Sequence, residues 1–297
     1  MLTTNISFPY KKAQGLVLVL LLFSDGFFLC VHSKMVVISY TERKRTLSYK
    51  IEHTEKGYLL FSIARAEKRN AINIEVMDGL AEAIAQASAA DIKALVITGT
   101  GEQAFCSGGD LSVFHRLRTK EEAAPMLQKM ANILYSLLTF SKPTIALLNG
   151  TAIGGGCELA VACDFRLGRK GIRAGFVQGK QAITTGWGGG SILAEKLSAA
   201  AAMRLLMEAE LQTAETLYKI GFLDILFEGD GITACEAFLE KMLAVDGNVL
   251  QAYKKVWTAK WETINLYERI MQEVNRCAVL WESDAHLQYV TSFLTKK

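Results

Sequence analysis

Two glycine-rich segments hold the residues whose types and spacing could do chemistry. They are Phe105-Cys106-Ser107-Gly108-Gly109-Asp110 and Asn149-Gly150-Thr151-Ala152-Ile153-Gly154-Gly155-Gly156-Cys157-Glu158. Each follows an apolar run that reads as a buried strand, and each leads into an expected helix. Glycine lets a backbone N–H approach a ligand with no Cβ in the way. Two such N–H groups aimed at one point form an oxyanion hole for charge developing on a carbonyl oxygen. Glu158 follows closely enough to act as acid or base beside that oxygen. A carboxylate in the first turn of a helix is also favoured by the helix dipole alone.

The elements that must position these groups alternate between strand and helix. Tyr49 to His53 and Tyr58 to Ala64 flank Thr54-Glu55-Lys56-Gly57 and read as a hairpin. A polar loop, Arg65 to Ile72, leads to Asn73, an expected N-cap. The helix behind it is predicted to bury Ile74, Met77, Leu80, Ala81 and Ile84. Ala94 to Thr98 reads as a buried strand, Glu121 to Leu138 as a helix, and Thr144 to Leu148 as a strand opened by Pro143. Phe165 to Leu167 is a further short strand. Recurrent strand–helix units predict an α/β fold with helices packed on sheets. From Ala199 onward the pattern is almost wholly helical. The tail carries Trp257, Trp261, Leu266, Ile270 and Trp281, an apolar face that needs the core or another subunit to cover it.

The chain has 297 residues, 51% hydrophobic and 21% charged, enough for one large domain with an ample core. A formal net charge of +3 is too small to indicate nucleic-acid binding. Six cysteines form no C-x-x-C pair and histidines are few, so neither a zinc site nor a disulfide framework is indicated, and no metal is expected. A reducing cytoplasm is the simplest compartment. At the start, Lys11-Lys12 precede an apolar run from Gly15 to Phe23, but no small-x-small cleavage site follows. Asp25 interrupts the one stretch long enough to cross a bilayer, so no stable membrane span is expected, and Met35 offers an internal start. Residues 1–34 therefore read as a non-structural leader or extension.

In sequence order these segments resemble the crotonase (enoyl-CoA hydratase/isomerase) superfamily from about Ser48 to the end. Arg65…Lys68-Arg69-Asn70-Ala71-Ile72-Asn73 resembles its first substrate loop, and Ala104 to Leu111 its oxyanion loop. Lys142-Pro143-Thr144 through Gly154-Gly155-Gly156-Cys157-Glu158 to Cys163-Asp164 resembles its signature strand–turn–helix. Gly186-Trp187-Gly188-Gly189 resembles a later glycine-rich turn, and Phe293-Leu294-Thr295-Lys296 the C-terminal helix that reaches CoA.

The resemblance implies a spiral of ββα units over 48–247. It also implies a helical C-terminal oligomerisation region over 248–297, building homotrimers often paired into hexamers. An acyl-CoA thioester would bind with its carbonyl oxygen between the N–H groups of Gly109 and Gly155. CoA enters as part of the substrate, with no permanently bound cofactor. Losing one such donor costs about 3–4 kcal/mol of transition-state stabilisation. Lys68, Arg69 and Lys296 become candidates for CoA phosphates and Phe293 for the adenine. Ala71, Ser107, Gly108 and Asp110 belong to the loops expected to contact substrate.

Glu158 matches one of two glutamates that hydratases of this superfamily use to position water. The other position is Gln178 here. No Asp, Glu or His lies between Asp164 and Glu195. Glutamine hydrogen-bonds but does not titrate. The resemblance therefore implies acyl-CoA chemistry of the hydratase/isomerase type. Decarboxylation, thioester hydrolysis and a catalytically lapsed CoA-binding homologue stand as alternatives. The segment is basic, and Lys180 is a candidate to hold a second carboxylate of a malonyl-type substrate. His115 and Trp187 are expected on a helix surface and in packing.

Overall fold

Three times in the chain a buried apolar strand turns a corner into a shorter one. Ala94–Gly99 is followed by Ala104–Cys106, Thr144–Leu148 by Thr151–Ile153, and Phe165–Arg169 by Arg173–Gly175. The first member of each pair joins a six-stranded sheet and the second a four-stranded sheet. A helix then returns the chain to the next turn, which gives the expected spiral of ββα units. The computed structural model describes the backbone of residues 19–23, 26–31 and 34–38 and the whole of residues 47–295.

The hairpin pairs Tyr49–His53 with Tyr58–Ile63, and parallel pairing carries the large sheet on through Ala94–Gly99, Thr144–Leu148 and Phe165–Arg169. Ile225–Phe227 closes its far edge in parallel with Phe165–Arg169, a short strand inside a stretch expected to be helical. Such a three-residue strand has too few residues to show a period. In the first turn of helix Gly155–Ala162, Gly156 is packed so tightly that a Cβ there would lie 2.1 Å from the carbonyl oxygen of Cys106.

Asn73 caps the helix Ile74–Gln86 as expected, its side chain accepting from Val76 N at 2.9 Å. The buried face is rotated from the expected one. Val76, Met77, Leu80 and Ala83 are buried, whereas Ile74 is 41% exposed and Ala81 faces solvent. Two stripes of apolar residues compete on this helix, and the sheet selects the one centred on Leu80. Helix Lys120–Leu138 begins with a capping box between Thr119 and Glu122.

The C-terminal tail is covered by its own core. Trp261, Leu266, Ile270, Val274, Cys277 and Trp281 join the main hydrophobic cluster. Val249, Tyr253, Val256 and Trp257 on helix Gly247–Thr263 stay exposed. Val19–Phe23, Gly26–Val31 and Lys34–Ile38 pair as an antiparallel three-stranded sheet, a unit of its own.

Candidate active site

Parallel pairing of Ala104–Cys106 with Thr151–Ile153 sets the two glycine segments side by side. Gly108 adopts φ +90°, and a Cβ on it would lie 3.2 Å from the backbone nitrogen of Gly155. Ile72 N donates to the Gly108 carbonyl at 2.8 Å and Asp110 N to the Ile72 carbonyl at 2.9 Å. These bonds leave the Gly109 N–H without an acceptor among the described residues. Gly155 opens the helix Gly155–Ala162, so its N–H has no intrahelical acceptor either. Both glycines line one cavity of about 560 Å³. The Trp187 indole packs over the pair. A Cβ at Gly109 would lie 3.5 Å from its Cζ2, and one at Gly155 would lie 2.2 Å from its Cζ3.

Glu158 stands on the cavity wall, 2% exposed. Its Oε1 accepts from the Gln178 amide at 2.9 Å and from Gly186 N at 3.3 Å. Its Oε2 accepts from Trp187 N and Gly189 N, both at 2.9 Å. Burial pushes its carboxyl up to about 7, and the Glu273 charge adds to this, while the three backbone donors pull the other way. Four donors occupy the lone-pair sites a carboxylate offers. Gln178 also lines the cavity, and its buried Oε1 takes no hydrogen bond from the described residues.

Asp110 lines the cavity too, but its carboxylate is turned to the protein. Arg65 Nη2 donates to its Oδ2 at 2.7 Å, and Oδ1 caps Ser112. Burial raises its carboxyl, and the bonds from Ser112 and Arg65 outweigh this and hold it below the ordinary range. Arg65 Nη1 also donates to the Ala71 carbonyl at 2.6 Å, tying the first loop to the oxyanion loop. Lys68 and Arg69 are exposed on that first loop, and Ser107 lies beside it. Lys68, Arg69, Ala71, Ser107, Gly108 and Phe293 all line the cavity, and Lys296 lies outside the described residues.

The basic side chains of the segment that carries Gln178 are not in the cavity lining. Lys180 pairs with Glu210 at 2.6 Å, Lys170 with Glu228 at 2.6 Å, and Arg166 with Asp224 at 2.9 Å. The expected role of Lys180 is therefore not met; the side chain is spent on an exposed ion pair. His115 bonds its own helix at Leu111 and is not in the lining. Sequence reasoning missed the residues that the C-terminal helices bring to the wall, Cys277, Trp281 and Tyr289. Their signal was the apolar stripe of the tail. Burial pushes the Cys277 thiol up to about 12, which disfavours the thiolate a nucleophile needs.

The sequence model of the enoyl-CoA hydratase/isomerase family matches residues 53–297. The chain belongs to this family. It is 31% identical over 245 residues to the ethylmalonyl-CoA decarboxylase of Gallus gallus, with 81% of each chain covered. It is also 31% identical over 177 residues to the crotonyl-CoA hydratase of Syntrophomonas wolfei, covering 59% of this chain and 66% of that one. The crystal structure of an enoyl-CoA hydratase from Bacillus halodurans superposes with a TM-score of 0.76 at 21% identity, over 82% of this chain and 99% of that one, and shows the same fold. As a member of the hydratase/isomerase family the protein is an acyl-CoA-processing enzyme. Among the described residues no helix is long and apolar enough to cross a membrane.

Proposed function

We propose that this enzyme decarboxylates a 2-carboxyacyl-CoA thioester, a malonyl-type substrate with an alkyl branch. One observation carries the reading: the carboxylate beside the oxyanion glycines already accepts four hydrogen bonds, and its neighbour is a glutamine. Hydration needs a base free to activate water, and the lining offers none beside Gly109 and Gly155. Its other acids are Asp110, paired to Arg65, and Glu67 on the first loop, and it includes no histidine. Thioester hydrolysis lacks a base or thiolate on the same grounds.

Decarboxylation asks less of the side chains. The bond from Cα to the carboxylate breaks and CO2 leaves. The bonding pair passes into the thioester as an enolate, whose oxygen takes hydrogen bonds from Gly109 and Gly155. Cα then takes a proton from solvent to give the saturated acyl-CoA. Phe114 and Trp187 lie against Gly109, and Met126, Leu127 and Ile183 add further apolar wall to the same cavity. An apolar wall disfavours the charged carboxylate more than the neutral CO2 that departs. The name of the Gallus gallus relative supports the same substrate class.

In this reading CoA lies along the first loop, with Lys68 and Arg69 at its phosphates and Phe293 at its adenine. The catalytic core spans 48–247, and the 248–297 region completes the cavity wall. The exposed apolar residues Val249, Tyr253, Val256 and Trp257 support assembly into a homotrimer or hexamer. The deciding experiment incubates the protein with ethylmalonyl-CoA and with crotonyl-CoA and identifies products by mass spectrometry. Loss of CO2 from the first at a rate far above hydration of the second is expected. Fast hydration with no CO2 release would overturn the reading.

A further inference from the structure

A second buried carboxylate holds the same glycine-rich turn from the other side. Glu273 lies on helix Leu266–Trp281 and is 8% exposed. Its Oε1 accepts from the Thr185 hydroxyl at 2.6 Å and from Gly190 N at 3.0 Å. Its Oε2 accepts from Ser191 N at 2.7 Å and from the Ser191 hydroxyl at 2.6 Å. Glu158 takes the intervening donors, Gly186, Trp187 and Gly189. The two carboxylates thus divide the donors of one stretch, Thr185 to Ser191, between two helices.

Two like charges buried near each other are costly, and among the described residues neither takes a hydrogen bond from Lys or Arg. Anchoring a turn to the core needs only one of them. The stretch does something more: it carries the indole that packs against both Gly109 and Gly155. An indole on a turn held from one side could tilt, and its contact with the two glycines would open.

We propose that Glu273 is a positioning residue for the oxyanion site, acting through the turn and the Trp187 indole on Gly109 and Gly155. The helix that bears it lies outside the glycine segments, so the C-terminal region helps set the geometry of the reacting centre. The inference rests on the oxyanion reading of the two glycines and is independent of whether the reaction is decarboxylation.

The test combines Glu273→Gln and Trp187→Phe, singly and together. One readout is the red shift in absorbance of a bound aryl-enoyl-CoA, which reports polarisation of its carbonyl without turnover. The other is the kcat and KM of whichever thioester is processed. Glu273→Gln is expected to shrink the red shift and to lower kcat about tenfold or more, with KM within about threefold. The double variant should be no worse than the worse single one, because both act on one contact. An unchanged red shift with kcat within about twofold, or effects that simply multiply in the double variant, would overturn the proposal.

If Glu273→Gln fails to fold by circular dichroism, Thr185→Val and Ser191→Ala each remove one hydroxyl donor and leave both carboxylates. Each should lower kcat about threefold, and no loss in either would sink the idea. A wild-type protein that gives the red shift but releases no CO2 would refute the decarboxylase reading alone. A wild-type protein that binds the probe without a red shift would refute the oxyanion site and this proposal with it.

Discussion

The Gln178 amide nitrogen donates to Oε1 of Glu158 at 2.9 Å, directly and with no room for a water between them. Hydration by paired glutamates needs a water held between two carboxylates. Here the second position is a neutral donor that stabilises the first as a charged acceptor. The pair thus serves the turn bearing Trp187, and the thioester oxygen is left to the backbone N–H groups of Gly109 and Gly155.

Replacing the donor with an acid tests this directly. Gln178→Glu puts a carboxylate in contact with Glu158, and like charges at that range cannot both ionise. The two should titrate as one dyad sharing a proton. We expect a loss of about 3 kcal/mol at pH 8, where the second proton is hardest to keep. That corresponds to a fall in melting temperature of roughly 5–10 °C. Crotonyl-CoA hydration should not rise, because contact leaves no place for the water. A strong gain of hydration in this variant would show that only the missing carboxylate limits the wild-type enzyme.

The two glycines should differ sharply in tolerance. A Cβ at Gly155 falls 2.2 Å from the Trp187 ring, deep inside contact distance. At Gly109 the nearest atoms are 3.4 Å away on Phe114 and 3.5 Å away on Trp187. Gly155→Ala is expected to lower kcat by about 100-fold or more through displacement of one donor. Gly109→Ala keeps its N–H and should lose less than about tenfold. Steady-state kinetics on both variants checks the order, and a reversal would contradict the packing described for Trp187.

Lys68 and Arg69 stand exposed at the first loop and line the cavity. Arg69 sits at φ 51°, so Asn is the better neutral replacement there, while Ala suits Lys68. Lys68→Ala and Arg69→Asn should each raise KM about three- to tenfold, with kcat within about twofold. The effect should fade as salt is raised, since exposed charges are screened. Measuring KM at two ionic strengths separates this from a packing defect, which salt would not relieve.

Much of this arrangement is legible in the chain. Apolar runs with sharp glycine corners mark the spiral, and Asn73 marks a helix start through chemistry that is local in sequence. The glycine segments mark the oxyanion site because close backbone approach requires the missing Cβ. What stayed hidden depends on distant partners. That Glu158 is saturated follows from the backbone donors of Gly186, Trp187 and Gly189, which have no side-chain signature. The ion pair that turns the Asp110 carboxylate to Arg65 joins residues 45 apart and has no local sequence signature. Lys180 read as a binding charge until Glu210 met it. On the first helix the buried face turned from Ile74 and Ala81 toward Val76 and Ala83, a choice made by the surfaces it packs against.

The raised Glu158 carboxyl sets stability and activity against each other across one pH interval. Burial, then the Glu273 charge, lift it from an ordinary value of 4.5 to about 7. A carboxyl that holds its proton more tightly when folded favours the native state at low pH. That contribution is complete below about 4.5, falls as pH rises, and is gone above about 7. Its size is on the order of 3 kcal/mol. Glu158→Gln cannot titrate, so the stability of the wild type relative to this variant should fall by that order between pH 4.5 and pH 8. Activity should move the opposite way. Only the ionised carboxylate accepts from Trp187, Gly189, Gly186 and Gln178 together, so kcat/KM should rise with pH through an acid limb near 7. Denaturant unfolding at both pH values and a pH–rate profile measure the two halves independently. A stability difference that stays flat across the interval would mean that the four donors fully offset burial and that Glu158 is ionised throughout. The acid limb would then fall near 4.5, and a limb that stayed at 7 would have to belong to another group.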